Sequence, residues 1–366
     1  MVVRHPHRLP LLALGMLALL TGLWAGLARL GWDVLLPRPG FSSLHGPLMV
    51  SGFLGTLISL ERAVALGRPW AYAAPLLTGL GGVSLIVGAP LLVAQWLMLA
   101  GSLVLVAIFA AIIRRHPALY TFTMGGGSLV WALGNLLWCL GWPVFLVVFW
   151  WAAFLVVTIA GERLELARLQ QVTGAAQATF LLLLGILLTG LLLLGWSFDG
   201  GVRLFGLGLA GLALWLGRHD IARRTVKQAG LTRFIAICLL TGYVWLGISG
   251  LSAMWFGGVP VGPQYDATLH AFFLGFVFAM IFAHAPIIFP AVLGARMTYR
   301  PLFYAHVVLL QATLLVRVVG DAVGWSAGRQ VGGLLNAVTL LLFLVNTVSA
   351  LQSPPERAGT AQGRGA

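Results

Sequence analysis

Twelve long apolar runs, separated by short polar connections, constrain this chain more than any other sequence feature. A bilayer core requires about 20 mainly apolar residues per helix, and most of the runs approach that length. We therefore predict an all-α, polytopic membrane helix bundle with about 12 transmembrane helices, forming a single domain over residues 1–351. The Pro- and Gly-rich segment 352–366 is predicted to be a disordered cytoplasmic tail. The predicted spans are 10–30, 43–66, 71–90, 92–113, 118–141, 143–161, 173–196, 202–217, 234–257, 267–293, 301–323 and 331–351.

The composition excludes two other classes of protein. Hydrophobic residues make up 60% of the chain and charged residues 8%, against about 25% charged in typical soluble domains. A soluble enzyme is therefore excluded, and so is a disordered chain, which needs low hydrophobicity. The net charge of +13 would suggest nucleic-acid binding in a soluble protein. Here the basic residues lie in short connections, where they act as topology signals, so the predicted partner is the lipid bilayer and not nucleic acid.

The distribution of basic residues predicts the orientation. With the N-terminus in the cytoplasm, all but five of the 22 basic residues lie on the inner side. We therefore predict a multi-pass protein of the bacterial inner (cytoplasmic) membrane with both termini cytoplasmic, the first run being a span and not a signal peptide. Even-numbered spans then run from outside to inside. The five exceptions are Arg29, Arg38, Arg203, Arg317 and Arg329.

Ionisable residues inside spans are the candidates for function. His45 opens the second span and His270 opens the tenth. Both spans are even-numbered, so the two imidazoles should lie at one depth near the outer face. Two histidines from separate helices at one depth can ligate a haem iron from opposite faces, which predicts haem b as the cofactor. The alternative is two unrelated histidines, each hydrogen-bonded to a neighbouring helix.

A second pair of histidines is predicted nearer the inner face. His284 lies 14 residues after His270, and His306 lies in the eleventh span, which starts from the inner side. They could form a second metal or haem site. The alternative is that both are interfacial or helix-bonded histidines.

Charged residues near the outer face admit two interpretations. Arg317 and Asp321 are four residues apart, which is typical of a local ion pair. Alternatively Arg317, with Arg329 or Arg38, binds haem propionates, because the guanidinium fork suits carboxylates. Asp266 precedes His270 by one helical turn and is predicted to cap the helix rather than to support the histidine.

Glycine-rich segments also leave alternatives open. Gly46, Gly52 and Gly55 follow His45, where bare backbone would admit a flat macrocycle or close helix packing. The fifth span contains Gly125–Gly127 and Asn135 and is the best candidate for a broken helix, as found in transporters. We find no sequence repeat of the kind that transporters show.

The segment HGPLMVSGF at 45–53 resembles the second helix of haem–copper oxidase subunit I, where a His-Gly run supplies a haem ligand. That family has twelve spans and a further haem ligand in its tenth helix, so the resemblance implies His45 and His270 as ligands. The family's copper-ligating histidines lie in helices six and seven, whereas 143–161 and 173–196 contain no histidine. The resemblance therefore does not extend to an oxygen-reducing binuclear centre.

The segment Leu269-His270-Ala271 with Gly275 is similar to the start of a late span in the NnrS family of haem-containing, twelve-span proteins. This resemblance implies haem, with or without copper, and a role in the response to nitric oxide, its tolerance or its reduction. It also implies a redox partner protein if electrons are transferred. Whether the chain is an enzyme is left open. The alternatives are a twelve-span secondary transporter without haem and an assembly subunit without cofactor.

Overall fold

The computed structural model describes residues 5, 8–167 and 173–352, and within them the chain forms twelve long helices. Eleven of these are long and apolar enough to cross a membrane, which confirms the predicted polytopic helical bundle. The predicted tail lies outside the described residues apart from Gln352. The helices are α1 (Leu9–Arg29), α2 (Phe41–Leu66), α3 (Pro69–Val87), α4 (Leu91–Arg115), α5 (Leu119–Cys139), α6 (Val144–Ala167), α7 (Gly174–Leu193), α8 (Phe198–His219), α9 (Gly230–Phe256), α10 (Pro263–Leu293), α11 (Phe303–Val323) and α12 (Ser326–Ser349).

Helix α5 is the twelfth long helix but is not among the apolar eleven. It has 21 residues and no charge, and its Gly, Thr, Ser and Asn residues lower its mean hydropathy. The expectation that this span is broken is wrong, because an uninterrupted α-helix runs from Leu119 to Cys139. Asn135 is satisfied by neighbours, since its side-chain oxygen accepts a hydrogen bond from Trp151 Nε1 at 3.0 Å.

The helices pack in three groups of four, and the last helix of each group is central. From α3 to α6 each helix packs against the next in chain order, and the same holds from α7 to α10. The third group joins the two ends of the chain: α11 packs against α12, α12 against α1, and α1 against α2. The central helices α2, α6 and α10 contact one another. The membrane-spanning segments of these three helices are 61%, 83% and 67% buried, against at most 56% in the other eight candidate spans. A helix that is apolar all round is expected at such a position, and α6 is the most buried.

Both α2 and α10 contain a π-helical segment that begins within three residues of the histidine. In α2, π-helix covers Leu48–Leu54 and follows three residues of α-helix that start at His45. In α10, it covers Ala271–Phe278 and follows His270. Extra residues in a helical turn change the direction in which side chains point, and such segments occur frequently at functional sites.

The opposite end of the central helices is closed by ion pairs. Arg62 of α2 pairs with Glu162 of α6. Arg163 donates two hydrogen bonds to the buried Asp220, which also accepts one from Tyr243 at 2.7 Å. Two-residue strands β1 (Arg296–Met297) and β2 (Leu351–Gln352) pair antiparallel beyond α10 and α12. These contacts fix the bundle at the end remote from the histidines that open α2 and α10.

Candidate functional site

A cavity of about 380 Å³ lies where α2 and α10 begin, and we call this region the histidine end. His45 and His270 both line it. Most of the other lining residues are apolar, but Arg29, Asp266, Arg317 and Arg329 also contribute. Its volume falls in the range of about 300 to 1,000 Å³ that is typical of small-molecule sites. A mainly apolar pocket with three arginines and one aspartate suits an amphipathic ligand that carries negative charge.

The rings of His45 and His270 are adjacent and nearly parallel. Their centroids are 6.1 Å apart and their planes differ by 21°. The two residues lie on α2 and α10, which are separated by most of the sequence, so the packing of the central helices brings them together. The sequence predicted that the two histidines lie close together, and in the structure their rings are adjacent.

His45 is fixed by the backbone of α1. Its Nδ1 lies 2.8 Å from the carbonyl oxygen of Gly22, and a carbonyl can only accept, so Nδ1 carries the proton. Nε2 of His45 is therefore the nitrogen with a free lone pair. The imidazole also lies against Gly26, one turn further along α1.

His270 is fixed within its own helix and by a carboxylate. Its Nδ1 lies 2.9 Å from the carbonyl oxygen of Asp266 and 3.2 Å from Oδ1 of the same residue. Nε2 of His270 accepts a hydrogen bond from Arg317 Nη2 at 3.2 Å. Both histidines thus hold the Nδ1–H tautomer, with the lone pair on Nε2. The expectation that Asp266 caps α10 is wrong: Gly262 is the N-cap, and Asp266 instead supports His270.

The expected local pair between Arg317 and Asp321 does not form. Arg317 instead donates to both oxygens of Asp266, through Nε at 2.9 Å and Nη2 at 3.0 Å. Asp321 lies 3.1 Å from Nε of Arg329, which is also 4.0 Å from Asp266. Two carboxylates and two guanidinium groups from α10, α11 and α12 therefore form one buried charged network beside His270. A bidentate pair of this kind orients both partners.

Arg29 and Arg38 differ in their relation to the cavity. Arg29 lies at the C-terminal end of α1, is exposed and lines the cavity. Arg38, proposed from the sequence as a propionate partner, donates instead to the carbonyl of Leu85 and is not among the lining residues. The guanidinium groups that line the cavity are those of Arg29, Arg317 and Arg329.

No hydrogen bond or ring contact joins the second pair of histidines within the described residues. His284 Nδ1 donates to the carbonyl of Met280 at 2.7 Å within α10. His306 is buried, and its Nδ1 lies 3.3 Å from the side-chain amide nitrogen of Asn346. Because that nitrogen can only donate, Nδ1 accepts and Nε2 carries the proton. Nε2 has no hydrogen-bond partner among the described residues. Within the described chain, no cluster of three or more His, Cys, Asp or Glu side chains could hold a metal ion. The aromatic rings that contact His306 are those of Phe234, Phe282, Phe303 and Phe343.

The glycines after His45 have different neighbours. A Cβ on Gly52 would meet Ala18 of α1 at 3.1 Å, and a Cβ on Gly55 would overlap the Trp131 ring, so both glycines serve close packing. Gly46 lines the cavity, where a Cβ would have only an ordinary contact with Val144. Gly275, part of the motif after His270, packs against Trp245.

Comparison with known proteins gives one match. The model of a family described as a domain of unknown function, DUF8744, matches residues 8–352. Neither the curated proteins nor the solved structures contain a match to the chain. The family match spans all twelve helices and therefore includes the whole histidine end. The chain belongs to the DUF8744 family.

Proposed function

We propose that the protein is an integral membrane protein that binds one b-type haem at the histidine end, with His45 and His270 as axial ligands. The observation that carries the proposal is the pair of parallel imidazoles with centroids 6.1 Å apart. Two imidazoles from separate helices that lie this close together could hold one haem iron between them.

The hydrogen bonds of the two rings also fit ligation. A metal-bound imidazole normally donates its other N–H to a carbonyl or carboxylate, which fixes the tautomer and raises the basicity of the ligating nitrogen. His45 makes this bond to Gly22, and His270 makes it to Asp266. Both Nε2 atoms then have the lone pair that iron requires.

The position of Arg317 changes the role that the sequence suggested for it. Nε and Nη2 are engaged by Asp266, and Nη2 also contacts His270 Nε2, so ligation by His270 would replace that contact. We propose that Arg317 acts mainly by orienting Asp266, which in turn orients His270. Arg329 is likewise engaged, by Asp321, so Arg29, which also lines the cavity, is the better placed cation for the carboxylates of a haem.

Ligation by two histidines favours electron transfer over chemistry at the iron. A bound haem would supply one-electron redox chemistry, and its two axial positions would be filled by protein ligands. The protein would contribute orientation of both imidazoles, exclusion of water by the apolar lining and neutralisation of carboxylates. Reaction with nitric oxide would require one histidine to leave, so that role stays a prediction that rests on the family resemblance. Copper as a second metal likewise stays a prediction.

A secondary transporter without haem is the alternative, and one observation reduces its support. Transporters bind substrate at interrupted helices, and the helix that the sequence suggested for this role, α5, is continuous. The irregular helices are α2 and α10, and both carry a histidine that faces the other.

The proposal is tested by the cofactor content of the purified protein. After expression with ample haem supply, we expect a Soret band, a reduced-minus-oxidised spectrum of a low-spin haem, and a pyridine haemochrome of the b type. A colourless protein that is folded in detergent would favour the transporter.

The inner histidines provide matched controls. We expect His284→Ala and His306→Ala to retain most of the bound haem, because neither residue lines the cavity. Haem content per protein, measured by haemochrome assay, checks this. If either variant lost its haem while His45→Ala retained it, the haem would bind at the other end of the bundle.

A further inference from the structure

The face of α1 that carries Gly22 and Gly26 is turned towards α2 at His45. The two glycines are four residues apart and therefore lie on one side of the helix. Gly22 accepts the hydrogen bond from His45 Nδ1 at 2.8 Å. A Cβ placed on Gly26 would lie 2.8 Å from both Nδ1 and Cε1 of His45, and the three nearest atoms all belong to that ring.

Gly55 makes a similar contact with the Trp131 ring, but at Gly26 the ring belongs to His45, which lines the cavity. Where glycines let two backbones approach, the neighbour of the missing Cβ is another helix, as Gly52 shows with Ala18 and Gly82. At Gly26 the neighbour is instead a side chain, and a stiff aromatic one that cannot bend away from a methyl group. Contacts below 3.0 Å require a shift, so the ring would have to rotate and its hydrogen bond to Gly22 would be lost.

We propose that Gly26 is a positioning residue for the imidazole of His45. The bare backbone at Gly26 leaves room for the ring, and the carbonyl of Gly22 sets its tautomer. Together they fix the orientation of the His45 ring, which lines the cavity beside His270. The consequence for the cofactor rests on the proposed haem site, but the positioning of the ring does not.

A double-mutant cycle of Gly26 and His45, measured by thermal stability, tests whether Gly26 positions the imidazole and requires no cofactor. In the wild type, Gly26→Ala should lower the melting temperature in detergent, because the added methyl group displaces the ring. In a His45→Ala background the same substitution should raise the melting temperature, because alanine is the better helix former once the ring is absent. If Gly26→Ala does not fold, recovery of folding in the double variant gives the same support. A decrease in both backgrounds, or failure of the double variant to fold, would overturn the proposal.

Gly15→Ala is the matched control on the same helix. Its Cβ would lie 3.5 Å from Thr56, an ordinary contact. It should therefore change the melting temperature equally in the two backgrounds. If the effect of Gly15→Ala on the melting temperature differed between the two backgrounds as much as that of Gly26→Ala, the difference would reflect general packing of α1.

A spectroscopic measurement extends the test to the cofactor. In haem-loaded protein, Gly26→Ala should shift the low-spin electron paramagnetic resonance g values or convert part of the haem to high spin, while Gly15→Ala should not. If the wild type binds no haem, the proposed function fails, and the double-mutant cycle still decides the role of Gly26. If the wild type binds haem and Gly26→Ala leaves its spectrum unchanged, the proposal for Gly26 fails alone.

Discussion

Asp266 is the residue on which the charged side of the histidine end depends. It contacts Nδ1 of His270, accepts two hydrogen bonds from Arg317 and lies within 4.0 Å of Arg329. The sequence indicated His270 because an ionisable group in a span is unusual, but it gave no sign of the bond from Arg317 to Asp266. That bond joins α10 to α11, and pairs between helices leave no periodic signal. The local spacing of Arg317 and Asp321 instead favoured a pair that the packing does not form.

Asp266→Asn should therefore weaken haem binding and raise its midpoint potential. The substitution keeps the shape of the side chain but removes the negative charge beside His270, and loss of a partner of a metal ligand typically costs about ten-fold or more in affinity. Redox titration and haem titration measure the two effects. Asp199→Asn, in the exposed pair of Asp199 with Arg203, is the control and should change neither quantity. An unchanged potential in Asp266→Asn would mean that the carboxylate does not act on the ligand.

Arg317→Ala should reduce haem retention without abolishing the low-spin spectrum. Arg317 orients Asp266 and does not supply a ligating atom in this account. Loss of the arginine leaves a buried carboxylate with a weaker partner, so some loss of stability is also expected. Haem content after dialysis against apomyoglobin measures retention. Complete loss of the low-spin spectrum would assign Arg317 a more direct role.

The helices differ in how well the sequence predicted them. The predicted span 202–217 is the shortest of the twelve and contains Arg203, yet α8 is a full helix of 22 residues in which Arg203 pairs with Asp199 four residues earlier. Within the described residues each of the twelve apolar runs forms a long helix, and eleven of these helices are long and apolar enough to cross a membrane. The π-helical segments of α2 and α10 were not predicted, because uniformly apolar stretches have no periodicity that could reveal an extra residue per turn.

A buried ion pair joins Arg163 of α6 to Asp220, which lies between α8 and α9. Asp220 accepts hydrogen bonds from Arg163 and Tyr243, and the side chains of Asp220 and Arg163 are 1% and 4% exposed. Removing one partner of such a buried pair costs about 3 to 5 kcal/mol. Asp220→Asn should therefore lower the melting temperature in detergent markedly. Asp199→Asn, in an exposed pair, should leave it almost unchanged, and equal effects would contradict the account.

At the scale of the whole molecule, the three groups of four helices explain why the histidines meet. Each group ends in a central helix, so α2 and α10 become neighbours although more than 200 residues separate His45 from His270. We found no sequence repeat that would have predicted this grouping. Both histidines nevertheless open even-numbered spans, which run in the same direction, and this was enough to expect the two residues at one depth.

The orientation of the bundle is itself open to test. The connections with Arg114 and Arg115, with 218–227, and with Arg296 and Arg300 should be cytoplasmic. Reporter fusions after residues 115 and 228 should give cytoplasmic signals. Periplasmic signals at both positions would place the histidine end on the cytoplasmic side and would change the compartment of any redox partner.

The central claim is that His45 and His270 ligate one haem, and the coupled effect of their substitutions tests it most directly. Reduced-minus-oxidised spectra should be recorded for the purified wild type, for His45→Ala, for His270→Ala and for the double variant. Because one low-spin haem needs both ligands, each single substitution should abolish the low-spin spectrum, and the double variant should be no worse than either single. A wild type without a Soret band after ample haem supply, or a low-spin spectrum that survives either substitution, would contradict the account.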